Sequence, residues 1–171
     1  MVDKQKIKVG ISVGDLNGIG IEVILKTFKD NRMMDFCTPI IFGSSKVISH
    51  HRKALDYQDF SFNIIKTIND AHPKKANLLN IWKEDINISL GEPSEISGKY
   101  AFDSIKTACK ALTDGKIDVL VTGPINKSSI QQKIKDHLGV VQEPQKEFFA
   151  YQLPKKEDFL SEERNRALLD A

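Results

Sequence analysis

The chain has 171 residues, of which 40% are hydrophobic and 28% are charged. This length and composition are typical of one globular domain, whose core is large enough to need no disulfide or structural metal. The 25 basic and 23 acidic side chains give a formal net charge of +2. So balanced a charge argues against nucleic-acid binding and against an anionic membrane surface as partner.

The sequence also predicts the cellular compartment. Cys37 and Cys109 form no C-x-x-C pattern, so we expect two small buried thiols in a reducing compartment. Residues 1–8 lack the layout of a signal peptide, and no stretch approaches the roughly 18 apolar residues of a membrane span. We therefore expect a cytoplasmic protein with no membrane partner.

Predicted strands and helices alternate in the first half of the chain. Helices are predicted at residues 21–28 and 46–55, and short apolar runs bounded by turn residues predict strands at residues 7–13, 39–42, 62–68 and 78–82. This alternation favours an α/β fold, layered α/β/α around a mainly parallel sheet.

The second half opens with a long amphipathic helix. It is predicted from Ser97 or Gly98 to about Asp114, and Gly115 follows where a C-terminal glycine is expected. Residues 117–121 are the strongest strand of the chain, apolar almost throughout, which predicts a strand covered on both faces. Asn126 then caps a helix that runs to about residue 138.

The composition changes near residue 131. Residues 1–131 are predicted to form one α/β domain, and residues 132–171 a charged, mainly helical tail of unassigned role. Within this tail, residues 155–169 are typical of a charged surface helix, and no further strand is predicted.

Two motifs follow predicted strands, at the edge of an α/β sheet where ligands bind. The first has the spacing G-x-x-x-G-x-G and contains three glycines and three polar residues: Gly14, Asp15, Asn17, Gly18, Gly20 and Glu22. It matches neither the Rossmann nor the P-loop fingerprint. Alone it is equally well a structural turn between a strand and a helix.

The second motif consists of Thr122, Gly123, Pro124, Asn126 and Lys127. The Lys127 ammonium could hold a phosphate or carboxylate near a helix N-terminus. A purely structural interpretation is also open, in which the proline and the asparagine start a helix.

Together, three segments resemble signatures of the 4-hydroxythreonine-4-phosphate dehydrogenase family. Residues 14–22 (GDLNGIGIE) resemble Gly-Asp-Pro-x-Gly-Ile-Gly-Pro-Glu, and residues 91–98 (GEPSEISG) resemble a Gly-x-Pro-Ser…Ser-Gly stretch before a long helix. Residues 118–127 (DVLVTGPINK) are similar to the family's Val-Thr-Ala/Gly-Pro-Ile-Asn-Lys segment. The motifs occur in the family's order, and the resemblance covers about residues 7–130.

The resemblance implies the N-terminal half of an isocitrate/isopropylmalate dehydrogenase-like fold. It implies an NAD-dependent oxidation and decarboxylation of a phosphorylated small molecule, in pyridoxine and pyridoxal 5′-phosphate biosynthesis. It further implies a divalent metal (Zn, Mg or Co) and a homodimer. The residues of the two motifs other than Gly14 are then expected to line the substrate or cofactor cleft, while no general base is assigned.

The resemblance breaks in two places. Leu16 and Ile21 replace two prolines of the first signature, and Asp136-His137-Leu138-Gly139 stands where the family has Gly-His-Thr-Glu. The family's three metal-binding histidines lie further along a longer chain. Ordinary surface or half-buried positions with no ligand spacing are expected for the histidines of this chain, which are His50, His51, His72 and His137.

We therefore expect a truncated or rearranged family member that lacks metal ligands and is inactive, or nearly so, on its own. Two alternatives stay open: a non-catalytic dehydrogenase-like remnant that acts as a binding module, and a protein related to phosphate acyltransferases.

Overall fold

The computed structural model describes residues 6–57 and 60–138. The chain divides into two units, Met1–Lys133 and Ile134–Ala171, and the fold below is that of the first. The predicted surface helix at residues 155–169 lies outside the described residues.

The described residues form five parallel strands joined by helices, which confirms the predicted α/β class with a parallel sheet. The strands are β1 (Ile7–Ser12), β2 (Cys37–Gly43), β3 (Asn63–Ile65), β4 (Asn77–Asn80) and β5 (Val119–Thr122). The helices are α1 (Gly20–Lys29), α2 (Met33–Phe36), α3 (Ser45–Ala54), α4 (Glu95–Thr113) and α5 (Lys127–Leu138), with a short 3₁₀ helix at Ile68–Asp70.

The sheet has the order β3-β4-β2-β1-β5 and is covered on both faces around β2. Ile40, Ile41 and Phe42 of β2 are fully buried, at 0% exposure. Alternate residues of a strand point to opposite faces, and Ile41 packs in one apolar cluster with residues of α1 and α3. Ile40 and Phe42 pack in a second cluster with residues of α4. The result is a three-layer arrangement.

The ends of two elements differ from the prediction. The strand predicted at residues 62–68 ends early because Thr67 and Asp70 form a reciprocal capping box that starts the 3₁₀ helix. After α4, Gly115 adopts the expected left-handed conformation at φ 65°. Its N–H donates to the Leu112 carbonyl at 3.0 Å, as a helix C-terminus requires.

The strand β5 is less covered than its sequence predicts. Val119 and Val121 are 43% and 51% exposed, so the expectation of a strand buried on both faces was wrong. In the described part of the chain, β5 pairs with β1 alone and forms the edge of the sheet. An apolar run predicts a strand that suits a buried position, but it carries no information on which neighbours cover it.

Ser104 of α4 joins the ends of β1 and β2, a role that the sequence did not indicate. Its buried hydroxyl accepts from the Val13 N–H at 3.1 Å and donates to the Phe42 carbonyl at 2.7 Å. The parallel register ends at the pair Ser12 and Phe42, so this hydroxyl satisfies backbone groups exactly where the two strands separate.

Replacing Ser104 by alanine is expected to lower the free energy of unfolding by about 1–3 kcal/mol, because two buried backbone groups lose their partner. Thr113→Ala is the control. The Thr113 hydroxyl bonds back to Cys109 of its own helix at an exposed position, so a change within about 0.5 kcal/mol is expected there. Urea denaturation of the two variants checks this, and equal losses would contradict the role of Ser104.

Candidate functional site

Two loops meet at the carboxyl ends of neighbouring strands. Loop A (residues 13–19) follows β1, and loop B (residues 123–126) follows β5. The Asp15 N–H donates to the Pro124 carbonyl at 2.9 Å, and the Gly123 N–H donates to the Ser12 carbonyl at 3.0 Å. These backbone hydrogen bonds bring the two predicted motifs together in one junction.

Gly14 makes this junction possible. Its φ is 71°, which side chains disfavour. A Cβ atom at this position would lie 2.3 Å from the Pro124 carbonyl oxygen. The first glycine of the motif therefore serves close approach between loops A and B.

The helices that follow the two loops have different neighbours. The apolar side of α1 packs in the cluster shared with α3. The start of α5 packs against α4, so closely that a Cβ on Gly98 would lie 2.0 Å from the Ser129 carbonyl oxygen. In an open parallel sheet, ligands bind outside the carboxyl ends of the strands. Loops A and B lie at such ends, after the neighbouring strands β1 and β5.

Asn17 ties loop A to a third loop, loop C (residues 88–94). Its side chain donates to the Glu92 carbonyl at 2.8 Å and the Ser94 hydroxyl at 3.3 Å. It also accepts from the Ser89 N–H at 3.1 Å, and its own carbonyl accepts from the Gly91 N–H at 2.8 Å. Asn17 is 5% exposed, so these contacts use its amide inside the protein.

The other predicted residues of the first motif lie partly in loop A and partly in α1. The buried Asp15 carboxylate accepts from the Asn17 N–H at 2.9 Å, and the Gly18 N–H closes the turn onto the Asp15 carbonyl at 3.1 Å. Gly20 begins α1. Glu22 pairs with Lys26 along α1. Asp15, Asn17 and Gly18 thus shape loop A, and the Glu22 carboxylate is engaged by its own helix.

In the second motif, Asn126 caps α5 as the structural interpretation predicts. Its side-chain oxygen accepts from the Ser129 N–H at 3.2 Å and the Ser128 hydroxyl at 2.6 Å. Thr122 and Pro124 are exposed. The motif therefore combines one internal cap with groups that face solvent.

Lys127 is the exposed first residue of α5. The first turn of α5 contains no acidic residue, and no described residue forms a hydrogen bond or an ion pair with the Lys127 ammonium. A helix N-terminus carries a partial positive charge, so a lysine there is unfavourable without an anion. The arrangement suits an anionic ligand group.

His51 of α3 contacts the backbone of loop A. It is 2% exposed, and its Nε2 lies 2.8 Å from the Leu16 carbonyl oxygen. The expectation that all the histidines are at surface or half-buried positions was therefore wrong for His51, since helical spacing does not reveal that a loop covers this side chain. Burial lowers the pKa of His51, with His50 lowering it further, while the bond to Leu16 and the charge of Glu22 oppose the change.

The stability of the fold is expected to fall as pH drops below the ordinary histidine value of 6.5. Because the folded state disfavours the charged imidazole, the unfolded chain binds more protons in this window, and stability is lost at up to about 1.4 kcal/mol per pH unit. Above pH 6.5 this contribution is constant.

His51→Gln keeps a donor for Leu16 and is expected to flatten this dependence, whereas the exposed His50→Gln should largely retain it. Denaturation midpoints between pH 5 and pH 8 check this. An unchanged slope in His51→Gln would contradict the assignment.

Cys37 and Cys109 are free and half-buried, less covered than expected, and burial raises the pKa of both thiols.

Within residues 6–57 and 60–138, no three His, Cys, Asp or Glu side chains are grouped so that they could hold a metal ion. No helix in the same part of the chain is long and apolar enough to cross a membrane.

The fold is shared with solved structures. It matches a 4-hydroxythreonine-4-phosphate dehydrogenase from Burkholderia phymatum with a TM-score of 0.67 at 24% identity, over 83% of this chain and 42% of that one. The enzyme of the same name from Klebsiella pneumoniae gives a TM-score of 0.63 at 21% identity, over 78% and 40% of the two chains.

Sequence comparison finds closer relatives. A 4-hydroxythreonine-4-phosphate dehydrogenase from Bacteroides thetaiotaomicron is 42% identical over 132 residues, which are 77% of this chain and 36% of the relative. A Clostridium botulinum protein, provisionally named a D-threonate 4-phosphate dehydrogenase, is 30% identical over 81% of this chain and 42% of its own length. The chain thus spans about two fifths of the length of these relatives.

The family model described as "Pyridoxal phosphate biosynthetic protein PdxA" matches residues 35–159. The match includes loop B and Lys127 and extends beyond residue 130, where the resemblance seen in the sequence ended. Together with the 42% identical relative, this confirms the family that the three motifs indicated. The chain belongs to the PdxA family of pyridoxal phosphate biosynthetic proteins.

Proposed function

We propose that loops A and B and Lys127 form the phosphate-binding side of an active site of the 4-hydroxythreonine-4-phosphate dehydrogenase type. The observation that carries this proposal is the pair of backbone bonds at the junction, Asp15 to Pro124 and Gly123 to Ser12. They place two family motifs at one end of the sheet, immediately before a helix that starts with an exposed lysine.

The phosphate of the substrate would lie at the N-terminus of α5. There, the helix N–H groups and the Lys127 ammonium both favour negative charge, and the Thr122 hydroxyl is an exposed donor nearby in sequence. The junction holds loop B in place before the ligand arrives, which reduces the ordering that binding requires. Asp15, Asn17 and Gly18 shape loop A, on the other side of the junction.

The oxidation that the family name implies needs more than this phosphate-binding side. A nicotinamide cofactor would accept the hydride, and a divalent metal would polarise the reacting oxygen. The described residues do not fit the metal, because they bring no three suitable donors together. No described contact singles out residues for NAD, so we assign no step of the reaction to this part of the chain.

We therefore propose that the chain binds the phosphorylated substrate but does not turn it over unaided. The absence of one strong electrostatic stabiliser typically costs about 10²-fold or more in rate. The test is NADH production by the purified chain with Mg²⁺, Zn²⁺ or Co²⁺, using 4-hydroxythreonine 4-phosphate and D-threonate 4-phosphate in parallel.

We expect no metal-dependent NADH with either substrate. The melting temperature should rise more with 4-hydroxythreonine 4-phosphate than with D-threonate 4-phosphate, in line with the higher identity to the first enzyme. Metal-dependent turnover would show that residues outside the described part complete the site, and would overturn the proposal of an inactive chain.

A homodimer is likewise a proposal. The exposed Val119 and Val121 on the edge strand β5 offer an apolar surface that association would cover. Sedimentation velocity at increasing protein concentration measures this association directly.

A further inference from the structure

A cavity lies at the opposite edge of the sheet from loops A and B. It is an open cavity of about 640 Å³, lined by the end of α1, the segment that leads into β3 and the turn before β4. Three lysines line it, namely Lys29, Lys74 and Lys75. We call it the basic pocket.

Among the described residues that line the basic pocket, none carries a carboxylate to balance the three lysines. A second cavity of about 440 Å³ also has three lysines, but there Asp114 pairs with Lys110 at 3.1 Å and with Lys116 at 3.4 Å. Like charges around one cavity repel each other, so an anion that enters the basic pocket would relieve this repulsion.

The turn that carries two of the lysines is held in place by Asn77. This fully buried side chain donates to the carbonyls of Lys75 at 2.8 Å, His72 at 3.1 Å and Pro39 at 3.1 Å. Its oxygen accepts from the His72 N–H at 2.8 Å and from the Asn63 amide at 2.9 Å. The backbone of the turn is therefore fixed without a ligand, which favours binding.

One wall of the basic pocket is aromatic. Phe60 and Phe62 line it, and their rings meet edge to face with centroids 4.9 Å apart. Lys29 is oriented by a neighbouring ring, since its ammonium lies 4.8 Å from the centroid of Tyr57. A flat apolar group can pack on such a wall while an attached anion meets the lysines.

We propose that the basic pocket binds a small phosphorylated compound with a flat ring, the chemistry shared by phosphorylated pyridines and by nucleotides. Its volume is in the range of about 300–1,000 Å³ that is typical of small-molecule sites. The cations select the phosphate, and the two phenylalanines select the ring. The site is separate from the junction of loops A and B and does not depend on the function proposed for it.

Calorimetric titration of the full chain tests this with two phosphorylated probes, pyridoxine 5′-phosphate and AMP. Their matched controls are pyridoxine and adenosine, which lack the phosphate. We expect saturable binding of at least one phosphorylated probe and about tenfold weaker binding of its control, because the charge-assisted contacts are lost. Comparing the affinities of the two probes shows whether the pocket prefers a pyridine ring or a nucleobase.

The double variant Lys74→Gln/Lys75→Gln is expected to weaken binding by about tenfold or more. Lys66→Gln/Lys106→Gln removes the same charge at exposed positions outside this pocket and should bind within about twofold of the parent chain. Both double variants change exposed side chains, and their melting temperatures confirm folding. Absence of saturable binding to the parent chain, or equal weakening by the two double variants, would overturn the proposal.

Discussion

Replacing Gly14 by alanine is expected to destabilise the protein by about 2–5 kcal/mol. The left-handed backbone accounts for about 1–2 kcal/mol of this loss, and overpacking accounts for the rest. The added Cβ would lie 2.3 Å from the Pro124 carbonyl oxygen, so loop B has to move away from loop A. The hydrogen bond from Asp15 to Pro124 is then lost as well.

Gly115 offers a matched control for this variant. It has nearly the same backbone conformation, with φ 65° against 71° for Gly14, but apart from its chain neighbours no atom of the described residues lies within 4 Å of a Cβ built there. Gly115→Ala therefore carries the backbone cost alone, about 1–2 kcal/mol. Guanidinium denaturation of both variants separates the two contributions. Equal losses would mean that loops A and B are not in the close contact described.

Asn17→Ala is expected to cost about 2–4 kcal/mol, because the partners of its side chain in loop C are left unsatisfied. The loss of stability should extend to the start of α4. Ser94, which accepts from Asn17 at 3.3 Å, also caps that helix by accepting from the Ser97 N–H at 3.0 Å. Hydrogen exchange at the first turn of α4 should therefore become faster.

Asn69→Ala is the control for Asn17, since Asn69 is an exposed residue of the 3₁₀ helix. A change within about 0.5 kcal/mol is expected there. A similarly small effect of Asn17→Ala would contradict the role of its amide in joining loops A and C.

The regular elements could be predicted because their signals are local. The helix predicted from Ser97 or Gly98 to Asp114 is α4, which the structure extends by two residues to Glu95 because Ser94 provides the cap. The strand at β2 and the glycine after α4 were found in the same way. Short elements such as β3 and α2 were misjudged or missed, since three or four residues carry little periodicity.

The candidate site could be predicted in part. The glycines and the lysine were recognised by type, and the cap formed by Asn126 by its position before a helix. The partners of Asn17, His51 and Ser104 could not be foreseen. The bond from Asn17 to Glu92 spans 75 residues, and that from Val13 to Ser104 spans 91. Such pairings depend on the order of strands in the sheet, which no local pattern specifies.

The most direct test of the proposed site is calorimetric titration of the chain with 4-hydroxythreonine 4-phosphate, repeated with Lys127→Gln and, as a control, with the exposed Lys106→Gln. Saturable binding is predicted for the parent chain and for Lys106→Gln. Binding to Lys127→Gln should be about tenfold or more weaker, because the lysine charge that contacts the phosphate is removed. Absence of binding to the parent chain, or equal affinity of the two variants, would contradict the assignment of Lys127 and of the junction of loops A and B to phosphate binding.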